Sequence, residues 1–156
     1  MTGSKFDTFE TKILQYIFQN ITASNIGDTT GLRGSVASGS LYVSLHTSAV
    51  ESDYERASSG QQTAECSYLG YARQPIERNS SCWSVTGNIA SNITRADFPT
   101  CTNDLGSPQV PRYFGIGAAS SGTGKLLYFG PISPIAAITT GMAVQLPNGG
   151  IVITED

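Results

Sequence analysis

From Leu41 onward the apolar residues recur at every second position, in short runs broken by Gly, Asn and Pro, a pattern that suits strands and excludes amphipathic helices. In Leu41-Tyr-Val-Ser-Leu-His46 the side chains of Leu41, Val43 and Leu45 fall on one face and those of Tyr42, Ser44 and His46 on the other, as in a half-buried strand. The same reading predicts strands over Tyr68 to Ile76, Trp83 to Thr86, Ile89 to Phe98, Tyr113 to Ala118, Lys125 to Phe129, Met142 to Leu146 and Ile151 to Thr154. Thr86-Gly87-Asn88, Ser121-Gly-Thr-Gly124 and Asn148-Gly149-Gly150 place residues that tolerate positive φ between consecutive runs, so each predicts an antiparallel hairpin. Pro99, Pro108, Pro111, Pro131, Pro134 and Pro147 fall at strand ends or in loops, where a missing N–H costs no ladder bond. About eight short strands with no helix between them predict a mainly β fold, an antiparallel β-sandwich or flattened barrel.

Only the start of the chain has helical periodicity. Phe6, Phe9, Ile13, Ile17 and Ile21 recur at spacings of three and four, and Leu14 and Phe18 widen the stripe, which predicts one N-terminal amphipathic helix. Asp7 is placed to cap it, with Glu10 three residues on in a capping-box arrangement. From Asn20 to Gly39 the chain is rich in Ser, Thr, Gly and Asn without sustained alternation, and reads as a long connection or extended arm. The expected organisation is therefore residues 1–39 as helix and arm and residues 40–156 as the β domain. Glu51 to Glu65 reads as a polar surface loop.

Composition narrows the function classes. In 156 residues, Asp, Glu, Lys and Arg make up only 13%, and the net charge is −3. The nine basic residues are scattered, so the positive field that nucleic-acid binding requires is missing. No apolar run approaches the ~20 residues of a membrane span, and the first residues lack a signal peptide's basic and apolar segments, so the expected site of synthesis is the cytosol. Cys66, Cys82 and Cys101 include no C-x-x-C pair and are expected to be reduced.

The motifs that carry chemistry fail one by one. Gly115-Ile-Gly117-Ala-Ala-Ser120 departs from a dinucleotide fingerprint at its last position, and no helix pattern follows. Gly122-Thr-Gly124-Lys125 has Ala119 where a phosphate loop needs Gly and Leu126 where it needs Ser or Thr. His46 is the only histidine, so any triad must pass through it; it neighbours Ser44 and Thr47, but no G-x-S-x-G elbow exists, and a polar side chain on the non-core face, or one hydrogen-bonded at a strand end, is the favoured reading. Glu51, Asp53 and Glu55 alternate like calcium ligands but lack the glycine and distal Glu of an EF-hand loop. No two of the twelve acids stand out as a glycosidase pair, and the sequons at Asn20, Asn79 and Asn92 are meaningless without secretion. No catalytic, cofactor-binding or metal-ligating residue is assigned. Trp83 and the tyrosines Tyr68, Tyr71, Tyr113 and Tyr128 read as packing residues, with a sugar-stacking surface as the alternative.

The order of segments is more specific than any single motif. The helix Phe9 to Phe18, then Ser40-Leu-Tyr-Val-Ser-Leu-His-Thr47, Tyr68-Leu-Gly-Tyr-Ala-Arg73, Trp83 to Asn92, Phe98-Pro99, Tyr113-Phe-Gly-Ile-Gly117 and Gly124-Lys-Leu-Leu-Tyr128 resembles a family of small virion proteins of tailed bacteriophages, commonly labelled tail fibre proteins. Two departures stand out: Ser48-Ala-Val-Glu51 replaces the Asp-Pro-Gly that commonly follows the first strand, and the Asn20–Gly39 connection is longer than expected. The resemblance implies a non-enzymatic structural virion protein, either a tail or fibre component or a capsid decoration (cement) protein. Its partners would be other phage virion proteins and copies of itself, with no nucleic acid, membrane or cofactor. A host-surface glycan-binding adhesin is the alternative. The helix stripe and the sheet edges are the expected contact surfaces.

Overall fold

The computed structural model describes residues 5–24, 26, 32, 34–48 and 60–155. The elements are α1 (Asp7–Gln19), β1 (Ser40–His46), β2 (Gln74–Glu77), β3 (Trp83–Thr86), β4 (Ile89–Asn92), β5 (Ala96–Asp97), β6 (Tyr113–Gly117), β7 (Leu126–Pro131), β8 (Gln145–Leu146) and β9 (Val152–Thr154). The fold is mainly β, antiparallel, with the one described helix near the N-terminus, as the period-two pattern predicts. The strands form three open sheets, so the flattened-barrel alternative is not what forms among the described residues.

The chain divides into two compact units, one made of Met1–Ser40, Glu77–Thr94 and Pro147–Asp156, the other of Leu41–Ile76 and Arg95–Leu146. The first unit packs α1 on the sheet β3-β4-β9. Gly87, at φ 59°, occupies the first loop position of the β3–β4 hairpin, the position for which a type II′ turn selects glycine. The helix buries Glu10, Leu14 and Phe18, and the Phe18 ring lies 4.6 Å from that of Trp83, which has no exposed surface.

Two features of the helix differ from expectation. Asp7 does not cap it: Phe6 is the N-cap, without a side-chain bond, and its carbonyl accepts from the Phe9 and Glu10 amides. The expected stripe is also not the buried one, because Phe6, Phe9 and Ile21 are exposed and Ile13 and Ile17 only half-buried. Polar anchors decide the rotation. The Thr11 hydroxyl lies 2.7 Å from the Gly87 carbonyl oxygen and Gln19 Nε2 donates to the Trp83 carbonyl at 2.8 Å, which turns the Thr11–Leu14–Phe18–Gln19 face toward the hairpin. At the other end Arg78 donates from Nε to the Ile17 carbonyl and from Nη2 to that of Tyr16, both at 2.6 Å, satisfying carbonyls the last turn leaves open.

The connection after α1 is tied at its base: Ala23 and Leu32 exchange backbone bonds, and the Asn20 side chain donates to the Ser35 carbonyl and accepts from its amide, each at 2.8 Å. Asn92 closes the same unit. Its Nδ2 donates to the carbonyls of Thr94 and Pro147, and its Oδ1 accepts from the Ile151 amide at 2.8 Å. Here the expected strand Ile89–Phe98 breaks into β4 and β5, because the Ile93 and Thr94 amides both turn to the Cys82 carbonyl.

The second unit holds the sheet β2-β1-β6-β7, but for Ser40 and Glu77, and the pair β5-β8. Ser121–Gly124 lies in the β6–β7 turn as expected, and Pro131 ends β7 on the sheet's edge, where its lack of an N–H is tolerated. Asn148-Gly149-Gly150 does turn, with Gly149 at φ 72°, but it joins strands of different sheets: β8 pairs with β5 and β9 with β4. The run from Tyr68 is strand only over Gln74–Glu77, because the Tyr71 amide bonds back to the Tyr68 carbonyl in a tight turn. β1 is buried on both faces from Val43 to His46 rather than on one.

Candidate functional site

Ser44 and His46 project from the same face of β1, and both are completely buried. The Thr63 carbonyl oxygen lies 2.8 Å from His46 Nδ1 and can only accept, so Nδ1 donates and Nε2 accepts from the Ser44 hydroxyl at 2.9 Å. Burial holds the imidazole pKa below its usual value, outweighing the opposing pull of the Thr63 carbonyl and the Glu65 carboxylate. The pair has the connectivity of a nucleophile and its base, yet neither residue has exposed surface for a substrate to reach.

Beside this pair lies Arg73. Its Nε and Nη2 grip the two Glu65 carboxylate oxygens at 2.7 and 2.8 Å, Nη1 donates to Gln61 Oε1 and the Ala119 carbonyl, and Nη2 donates again to the Gly122 carbonyl. Every guanidinium N–H is used. Gln61 Nε2 in turn donates to the Tyr42 carbonyl, and the Tyr71 hydroxyl donates to Glu65 Oε1 while accepting from the Leu45 amide. Desolvation and the adjacent carboxylate push the Tyr71 pKa far up, so the phenol stays protonated.

Glycines in β6 make room for this layer. A Cβ on Gly117 would meet Gln61 Oε1 at 2.0 Å, and one on Gly115 would meet His46 Nε2 at 2.6 Å. Gly115 and Gly117 therefore serve packing under side chains from β1 and the 60–65 segment. Gly122 and Gly124 sit in the β6–β7 turn, where their carbonyls accept from Arg73 and from the Gln61 amide.

The remaining sequence candidates disperse. Glu51, Asp53 and Glu55 lie outside the described residues. The segment expected as a surface loop ends, over its described part, in the buried Gln61 and the ion-paired Glu65; nothing in local spacing marks either, since their partners come from distant strands. Trp83 is wholly enclosed and cannot offer a ring face to a sugar, and Asn92 spends both amide hydrogens internally. Cys66, Cys82 and Cys101 are free thiols, and burial pushes that of Cys66 up to about 12. Among the described residues no three His, Cys, Asp or Glu side chains gather as a metal site, and no helix is long and apolar enough to cross a membrane.

Two of the features that reach the surface are apolar. In the first unit, Phe6 is 81% exposed and Phe9 39%, on the outer face of α1. In the second, Val110, Pro111 and Arg112 before β6 and Ile132, Pro134 and Ile135 after β7 line a groove of about 360 Å³. The walls are fixed by backbone bonds from Arg112 N to the His46 carbonyl and from Ile132 N to the Arg112 carbonyl.

Residues 6–154 match the family model of the podophage GP4 fiber I protein gp80. The chain belongs to this podophage fibre protein family. No curated protein matches it. As a member of the fibre family the protein is a structural component of a phage particle, resides in the virion and associates with other virion components. The segments that carried the resemblance have a physical role in this fibre protein: Ser44 and His46, Tyr71 and Arg73, and Gly115 and Gly117 meet in one buried layer of the second unit.

Proposed function

We propose that this podophage fibre protein is non-enzymatic and works as a building block, presenting preformed apolar surfaces to neighbouring virion proteins, copies of itself among them. The observation that carries this reading is the division of labour between interior and surface. Of the side chains best able to do chemistry, Ser44 and His46 are sealed inside the second unit and bonded to each other, and Arg73 and Glu65 are ion-paired to each other beside a small open cleft of about 150 Å³, whereas the aromatic residues at the start of α1 face outward. A fibre repeats its contacts many times, so individually modest apolar surfaces suffice for a strong assembly. Placement in the tail is favoured over capsid decoration by the family's description as a fibre protein.

Quantitative protein analysis of purified virions tests the placement and the role together. A few to a few dozen copies per particle, with no hydrolytic turnover of surface glycans by the purified chain, is the expected result. Several hundred copies would move the protein to the capsid, and turnover that depends on one carboxylate would overturn the structural reading.

A further inference from the structure

The two exposed apolar features carry opposite charges. Phe6 and Phe9 project from the first turn of α1 with Asp7 between them, and Asp7 forms no ion pair among the described residues. Lys5, just before this turn, is ion-paired with Glu155. The groove of the second unit has the opposite character: apolar walls of Val110, Pro111, Ile132 and Ile135, and an exposed Arg112 that also lacks an ion pair among the described residues. Its volume of about 360 Å³ lies within the ~300–1,000 Å³ range of pockets that enclose small ligands, enough for an aromatic side chain. Phe6 is 81% exposed, so most of its ring is left to be covered.

We propose that the Phe6–Phe9 turn of one copy seats in the Val110–Ile135 groove of a second copy, with Asp7 paired to Arg112. This rests on the assembly reading above and names one of its contacts. The knob belongs to the first unit and the groove to the second, so the contact is heterologous: each copy that receives a knob still offers its own, and copies add head to tail into a ring or a filament. Burying the two phenyl rings supplies the association energy, and the Asp7–Arg112 pair sets the register and excludes an unpaired charge from the contact.

Sedimentation velocity of the purified full chain over a range of concentrations tests the proposal. The unmodified chain is expected to self-associate, and Phe6→Ser or Arg112→Glu to weaken association about tenfold or more. Both positions are exposed, and an unchanged melting temperature confirms that folding is intact. The charge swap Asp7→Arg with Arg112→Asp is expected to restore association lost in either single variant. A mixture of the Phe6→Ser and Arg112→Glu chains is expected to form one-to-one pairs that grow no further, since one chain keeps its groove and the other its knob. A chain that stays monomeric at every concentration, or single variants that associate like the unmodified protein, would overturn the proposal. Copies detected in virions carrying those same variants would leave the building-block function standing, so the two readings fail separately.

Discussion

His46 stands with each ring nitrogen held by a fixed partner, and burial keeps it neutral. Its folded pKa lies below the unfolded value of about 6.5, so the unfolded chain takes up the proton first. Stability from this residue is complete above that value and declines as pH falls toward the folded pKa, by at most about 1.4 kcal/mol per pH unit. Denaturant midpoints measured at neutral pH and one to two units lower should therefore separate, and His46→Gln should narrow the gap although it lowers both. An equal gap in the variant would mean that other groups carry the pH dependence. Arg73 sets a larger stake. Removing it by Arg73→Ala strands the largely buried Glu65 carboxylate, for an expected loss of about 3–5 kcal/mol in chemical denaturation. Gly117→Ala drives a methyl into Gln61 and should cost about 1–3 kcal/mol by the same measurement.

At the scale of elements, α1 shows how polar anchors overrule an apolar stripe. Periodicity placed a helix at the right residues, and the broad stripe included Leu14 and Phe18, which are buried. The rotation came from Thr11 and Gln19 reaching the Gly87 and Trp83 carbonyls, partners that lie far away in sequence and leave no local trace. The two faces should respond differently. Leu14→Ala opens space against the β3–β4 hairpin and should cost about 2–5 kcal/mol, whereas Phe6→Ser should change the unfolding free energy by about 0.5 kcal/mol or less. Equal losses would mean that Phe6 is packed. The Ile89–Phe98 run makes the same point for strands: its apolar alternation is continuous, yet Asn92 and the Cys82 carbonyl end the ladder at its middle. Turn chemistry was more dependable where both flanking strands belonged to one sheet, as at Gly87, than at Gly149, where the same residue type redirects the chain from one sheet to another.

For the whole molecule, function shifts attention from the buried layer to the surface. Particles assembled with Phe6→Asp should contain far fewer copies, by about tenfold or more, while the purified variant melts like the unmodified protein; normal incorporation would remove the start of α1 from the assembly. What the chain itself determined was the class of fold, the position of its one described helix, most strand centres and the family, because these depend on residue periods and on the order of short motifs. The tertiary structure alone decided which helix face is buried, how the strands divide among three sheets, and that Gln61, Glu65 and Arg73 meet beside Ser44 and His46. Those outcomes depend on hydrogen bonds between residues remote in sequence, whose partners become defined only when the backbone closes around them.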